Sequence, residues 1–258
     1  MENTLETAEK RKRIYLLDEI RGFAVICMVF HHTLLSIGEI FSSQTFLGLF
    51  NTLCIFQPLF WFFFFGASGI SSRLSRNNLS RGLKLLGIAL VVTVVTWAYF
   101  NGTYTIVFGV LHFLSLAMII FHFIKPLFER LNPIVGIVIC FLLFAFTYHL
   151  SSGYVGIFDM VKIYLPRELY GTHFLFWLGF PSADFVSADY FPLLPHIFLF
   201  FIGGFLGTYV VRGRVPKFAY KKHSGFLCFF GKHALIVYIA HQPIIYAVCY
   251  LVKWILNI

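Results

Sequence analysis

Seven stretches of this chain are apolar for long enough to cross a lipid bilayer: approximately residues 14–37, 46–70, 82–100, 106–124, 133–150, 190–211 and 226–256. A hydrocarbon core about 30 Å thick is spanned by roughly 20 helical residues. Composition agrees, since 59% of residues are hydrophobic and only 12% charged, where a soluble domain carries about 25% charged residues. The expected fold is therefore all-α, a polytopic integral membrane helical bundle. An eighth apolar run, "LYGTHFLFWLGF" at 169–180, is too short to span and reads as a re-entrant or interfacial segment. The first run is not a cleavable signal peptide: it is too long, carries Asp18, Glu19 and Arg21 at its start and lacks a small-residue cleavage site.

The formal charge of +9 would suggest nucleic acid as partner of a soluble protein; here its distribution sets topology instead. Five of the Lys and Arg side chains lie at the N-terminus (Lys10, Arg11, Lys12, Arg13, Arg21), four in 71–84 (Arg73, Arg76, Arg81, Lys84), two in 125–132 and six in 212–232. Lys162, Arg167 and Lys253 are left for the other side. By the excess of Lys and Arg in cytoplasmic loops, the N-terminus is cytoplasmic and the C-terminus external. A spanning 169–180 would turn the basic stretch "RGRVPKFAYKKH" (212–223) outward and break this bias. The organisation expected is a basic cytoplasmic tail at 1–13 and one transmembrane domain at 14–258, with an external segment at 151–190. That segment contains Asp159, Glu168, Asp184 and Asp189, and long connections are usually functional. The five cysteines (Cys27, Cys54, Cys140, Cys228, Cys249) sit inside apolar runs and offer neither a disulfide framework nor a zinc knuckle.

Ionisable groups inside the spans are costly and tend to face a cavity or a polar partner. The stretch "RGFAVICMVFHH" (21–32) begins with a cation and ends with two imidazoles. Arg21 and His32 are eleven positions apart, nearly the same helix face, and about 16 Å apart along the axis. Asp18 shares that side. His31 points some 80° away, which suits a contact with a neighbouring helix. Further histidines recur at similar depth. His112 in "VFGVLHFLSLAMII" lies roughly 10 Å below the outer rim, with Ser115 one turn deeper. His241 and Gln242 in "GKHALIVYIAHQP" lie roughly 14 Å above Lys232, ahead of a helix-bending Pro243. His196 in "FPLLPHIFLFF" begins the sixth span. Each alone is more often a packing hydrogen bond than a catalyst; their common depth points to a site. No H-x-x-x-H or H-E-x-x-H pair and no carboxylate at that depth supports a metal, and no G-x-S-x-G elbow supports a serine hydrolase.

The ordered segments "LDEIRGFAVICMVFHH", "FFFFGASGISSRLSR", "RGLKLLGIAL", "FGVLHFLSLAMI", "LGFPSADFVSADYFPLLP" and "GKHALIVYIAHQP" resemble the bacterial branch of the heparan-alpha-glucosaminide N-acetyltransferase catalytic family, transmembrane acyltransferases, over roughly residues 13 to 250. The arginine–histidine spacing of the first helix also resembles the acyltransferase-three family. The resemblance implies transfer of an acetyl or other short acyl group from cytoplasmic acyl-CoA to an amine or hydroxyl of an extracytoplasmic saccharide, in a bacterial plasma (inner) membrane, with no metal. It implies His32 as base or acyl carrier, with His112 and His241 orienting it or polarising the thioester. Asp18, Arg21, Arg81, Lys84 and Lys232 are the candidates for holding CoA. His31, Ser115, Asp189, His196 and Gln242 are the candidates for orienting or contacting substrate. Position 196 is a histidine where the resemblance leads one to expect an aromatic. The expected partners are acyl-CoA, the saccharide and membrane lipids, without nucleic acid, and a homodimer is allowed. The rival reading is a transporter or proton-coupled permease using the buried histidines, although no inverted repeat with paired broken helices is found.

Overall fold

A computed structural model describes residues 13–100, 102, 104–157 and 160–257. Lys10, Arg11 and Lys12 of the basic tail, and Asp159 of the external segment, lie outside the described residues. In chain order the described residues form α1 (Tyr15–Ile40), α2 (Gln44–Leu53), α3 (Gln57–Leu74), α4 (Asn78–Phe100), α5 (Val110–Arg130), α6 (Pro133–Thr147), β1 (Tyr154–Ile157), β2 (Val161–Tyr164), α7 (Leu193–Val211), α8 (Gly225–Lys232) and α9 (Ala234–Leu256). Seven helical stretches among them are long and apolar enough to cross a membrane: Tyr15–Ile40, Gln44–Leu74, Asn78–Phe100, Val110–Arg130, Pro133–Ser152, Leu193–Val211 and Ala234–Leu256. The protein is a polytopic helical membrane protein.

Two apolar runs that the sequence reading took as single spans are broken, and the fourth span is Val110–Arg130 and not 106–124. The second span is interrupted by a 3₁₀ turn at Cys54–Phe56, just ahead of Pro58 in the first turn of α3, where a missing N–H is tolerated. The last apolar run is not one helix from 226 but a short α8 and a long α9, broken at His233. Ser224 caps α8, its side chain accepting from the Leu227 N–H at 3.2 Å, so the run starts as a separate capped element.

The chain divides into two compact units, Met1–Ile55 with Val215–Ile258, and Phe56–Arg214. In the first, α1 packs against α2, α8 and α9. The α1–α8 crossing is set by two glycines. A Cβ on Gly22 would stand 2.0 Å from the Leu227 carbonyl oxygen, and one on Gly231 would stand 1.8 Å from that of Asp18. Small residues let helix backbones approach this closely where lipid offers no hydrophobic drive.

In the second unit α3 and α7 cross in the same way. A Cβ on Gly69 would lie 1.9 Å from the Phe200 carbonyl oxygen, and one on Gly203 would lie 2.1 Å from that of Gly66. Around this crossing, Phe65, Phe113, Phe121, Phe128, Phe200 and Phe205 are buried as one aromatic core. The α4 helix covers α5, and α6 covers α7. Asn132 caps α6, accepting from the Ile134 N–H at 2.9 Å with Pro133 at its first position.

The segment 151–190 contains an antiparallel hairpin, β1–β2, which the all-α expectation did not anticipate. The run 169–180 holds only the short 3₁₀ turns Arg167–Tyr170 and Leu175–Leu178. Tyr170 donates to the Leu150 carbonyl and Tyr190 to that of Phe176, and burial raises both phenols above their ordinary pKa.

The two glycine crossings are expected to dominate packing stability. Gly69→Val and Gly203→Val should each destabilise by about 1–3 kcal/mol or more, the usual cost of forced overpacking, seen as a lower Tm in detergent. Gly87→Ala, whose added methyl meets nothing within 4 Å, should leave Tm at or above the parent value.

Candidate functional site

In the first unit, α1 and α9 bring three polar side chains together. The His32 and His241 rings are 5.0 Å apart between centroids. Gln242 Nε2 lies 2.9 Å from His32 Nδ1, so in this orientation the amide N–H donates to the ring and the His32 proton belongs on Nε2. His241 Nδ1 donates to the Tyr238 carbonyl. That fixes its tautomer and leaves the lone pair of the neutral ring on Nε2. Gln242 Oε1 is buried and has no hydrogen-bond partner among the described residues, an orphan acceptor of the kind that needs explaining. His31, the neighbour of His32, faces elsewhere: Phe50 lies at 4.2 Å ring to ring and the Cys54 sulfur at 3.5 Å from Nε2.

At the N-terminal end of α1, Asp18 is held between two arginines, Arg13 Nη2 at 2.6 Å and Arg21 Nη2 at 3.3 Å. Arg21 also donates to the Gly231 carbonyl at 3.5 Å. The adjacent Glu19, noted in the sequence only as a charge at the start of the run, is buried. Its Oε1 accepts from the backbone N–H groups of His223 (2.6 Å) and Ser224 (2.8 Å), and Oε2 faces His223 Nδ1 at 3.2 Å. Burial, and then the Glu19 carboxylate 3.7 Å from its sulfur, push the Cys228 thiol above its ordinary pKa. Lys232 is exposed at the end of α8.

The second unit contains the remaining candidates. His112 stands in the first turn of α5, where its Nδ1 accepts from the Gly109 N–H at 3.3 Å. Its Nε2 lies 3.2 Å from Thr93 Oγ1, and that hydroxyl donates to the Ile106 carbonyl at 2.6 Å. Both ring nitrogens of His112 are thus engaged by protein groups. Neither Thr93 nor the capping contact carried a sequence signal. Ser115 donates to the His112 carbonyl at 2.7 Å. Asp189 Oδ2 accepts from the Val110 N–H at 3.2 Å, a carboxylate at a helix N-terminus, where the dipole favours it. His196 donates from Nδ1 to the Pro192 carbonyl at 3.0 Å and lies among Trp61, Phe65, Phe113 and Phe191. It fills an aromatic's place in an aromatic nest. Arg81 and Lys84 are exposed along α4. Arg73 is instead buried and paired with Glu129 at 3.0 Å. Among the described residues no cluster of three or more His, Cys, Asp or Glu is placed to hold a metal ion.

The family model described as "Heparan-alpha-glucosaminide N-acetyltransferase, catalytic" matches residues 13–243. The chain belongs to that family. It is a membrane transferase of the glucosaminide N-acetyltransferase type, and the match runs from the arginine that pairs with Asp18 through the His32–His241–Gln242 cluster to Pro243. Searches of curated proteins and of solved structures return no match.

Glu19 should matter to the α1–α8 contact as much as any glycine. Glu19→Ala leaves two backbone donors unanswered, which costs about 1–3 kcal/mol. Tm should fall accordingly, and trypsin should cut faster at Lys221 and Lys222. Glu19→Gln, which keeps one acceptor, should fall between the two.

Proposed function

We propose that the protein moves an acetyl or other short acyl group from acyl-CoA on the basic cytoplasmic face to an amine or hydroxyl of a saccharide on the opposite face. The membrane would be a bacterial plasma membrane and the acceptor a cell-envelope saccharide. The observation that carries this reading is the meeting of His32, His241 and Gln242 within spans of a chain that belongs to an acetyltransferase family.

The hydrogen bonds suggest a division of labour. His241 Nε2 presents a lone pair, oriented by the Tyr238 carbonyl at its other nitrogen, and would take the proton from the acceptor as its nitrogen or oxygen attacks the thioester carbonyl. His32, with its proton on Nε2, would donate to the carbonyl oxygen as negative charge builds there. When the carbon–sulfur bond breaks, the departing thiolate recovers a proton from the His241 imidazolium. Gln242 sets the tautomer of His32, and its orphan Oε1 suits an N–H or O–H of the acceptor. Turning the amide over would reverse the assignment: Nδ1–H of His32 would donate to Oε1, and His32 Nε2 would become the base. Arg21 and Lys232 at the inner end suit the phosphates of CoA, about 16 Å below His32 along the helix.

The test uses proteoliposomes, acetyl-CoA labelled in the acetyl group, and glucosamine as acceptor. His32→Ala should lower kcat by about 10²–10⁴, the range expected for a positioned proton donor or acceptor. An unchanged rate would remove His32 from the chemistry. Gln242→Glu separates the two assignments, because a carboxylate only accepts and so holds His32 with its proton on Nδ1. At least a tenfold loss supports His32 as donor, and a retained rate supports it as base.

A further inference from the structure

We propose that the β1–β2 hairpin is an interfacial anchor, with one face seated in the lipid of the non-cytoplasmic leaflet. The register sorts its side chains by face. Val155 pairs with Ile163 and Ile157 with Val161, while Tyr154 pairs with Tyr164 and Gly156 with Lys162. Directly paired residues share a face and successive residues alternate. One face is therefore entirely β-branched and apolar, and the other carries two tyrosines and a lysine. Val155 is buried, whereas Ile157, Val161 and Ile163 are each about half exposed (49%, 55% and 51%), and Met160 at the turn is 85% exposed. A row of β-branched side chains normally marks the covered face of a sheet; here three of the four are left open.

Lipid is the occupant that the surroundings favour. The β1 strand packs against α6 and starts seven residues after that helix ends. The α6 helix belongs to a candidate span and turns Phe141, Leu142, Leu143 and Phe146 outward. A four-residue strand is only about 13 Å long, so the hairpin stays beside the membrane end of its helix. The other face is chemically interfacial. The Tyr154 ring stacks on His149 at 4.8 Å, and Lys162 Nζ sits 4.9 Å over the same ring. Tyrosine bodies and lysine stems with wet tips are the groups enriched at headgroup level. A second copy of the chain suits the face less well, because four side chains and a turn methionine offer far less than the roughly 800 Å² per partner of a stable interface. The proposal rests on the membrane fold and not on the acyl-transfer reading.

The experiment places a bimane label on Ile157→Cys, Val161→Cys, Ile163→Cys or Lys162→Cys in nanodiscs, with the unsubstituted chain labelled in parallel to subtract the native cysteines. Lipids brominated near the head of the acyl chain should quench the labels at 157, 161 and 163 at least twofold more than the label at 162. Equal quenching on the two faces would overturn the proposal. Should a substitution unfold the hairpin, the unaltered chain answers the same question with lipids carrying a photoreactive group at that depth. Adducts on 155–163 as well as on α6 support the anchor, and adducts on α6 without any on 155–163 refute it. Protection of the 163 label in detergent that grows with protein concentration would assign the face to a second copy and refute it equally.

Discussion

Inside hydrocarbon no water answers a polar side chain, so a group that protein leaves unmatched is costly. Several hydroxyls take the nearest solution, a carbonyl one turn back on their own helix: Thr33 to Val29, Ser68 to Phe64, Ser71 to Ala67 and Thr96 to Val92. Three histidines are also met by backbone of their own helix or its cap. His196 uses Pro192, His241 uses Tyr238 and His112 uses the cap of its own helix. These local bonds satisfy one side of a ring without demanding anything of another helix. His32 departs from the pattern, because its Nδ1 partner is a side-chain amide on α9. An amide can present either a donor or an acceptor, so its partner keeps a choice of tautomer that a carbonyl would remove.

What the sequence made legible follows the strength of the membrane constraint. A 20-residue apolar run has one economical structure, and the seven spans emerged from length alone. The hundred-degree step between neighbouring helical residues already separated His31 from His32, and their partners are indeed different: Phe50 and Cys54 for one, Gln242 and His241 for the other. The rest depended on partners far away in the chain. Glu19 looked like a boundary charge because the backbone donors it binds lie 204 and 205 positions later. His112 was read as a site residue by its depth, and nothing local announced Thr93 as its partner. The hairpin was hidden for another reason: in a chain this apolar, four alternating β-branched residues do not stand out from the spans. The break at His233 was masked too, because the run from α8 into α9 is apolar on both sides.

The N-terminal end of α1 bears on the middle of α9 through covalent continuity. Glu19 grips the two backbone N–H groups at the start of α8, and Gly22 and Gly231 lock α8 against α1 with their backbones in contact. The α9 helix leaves α8 after the single residue His233, so its starting point and heading are inherited from that clamp. Eight residues separate Ala234 from Gln242, about 12 Å of rise and a little over two turns. A rotation of α8 on α1 would swing the amide away from His32, since residues one apart on a helix differ by about 100° in direction. A hydrogen bond that must hold at 2.9 Å tolerates little of that. The Glu19 carboxylate and the two glycines therefore bear on the placing of the Gln242 amide against His32 without touching either.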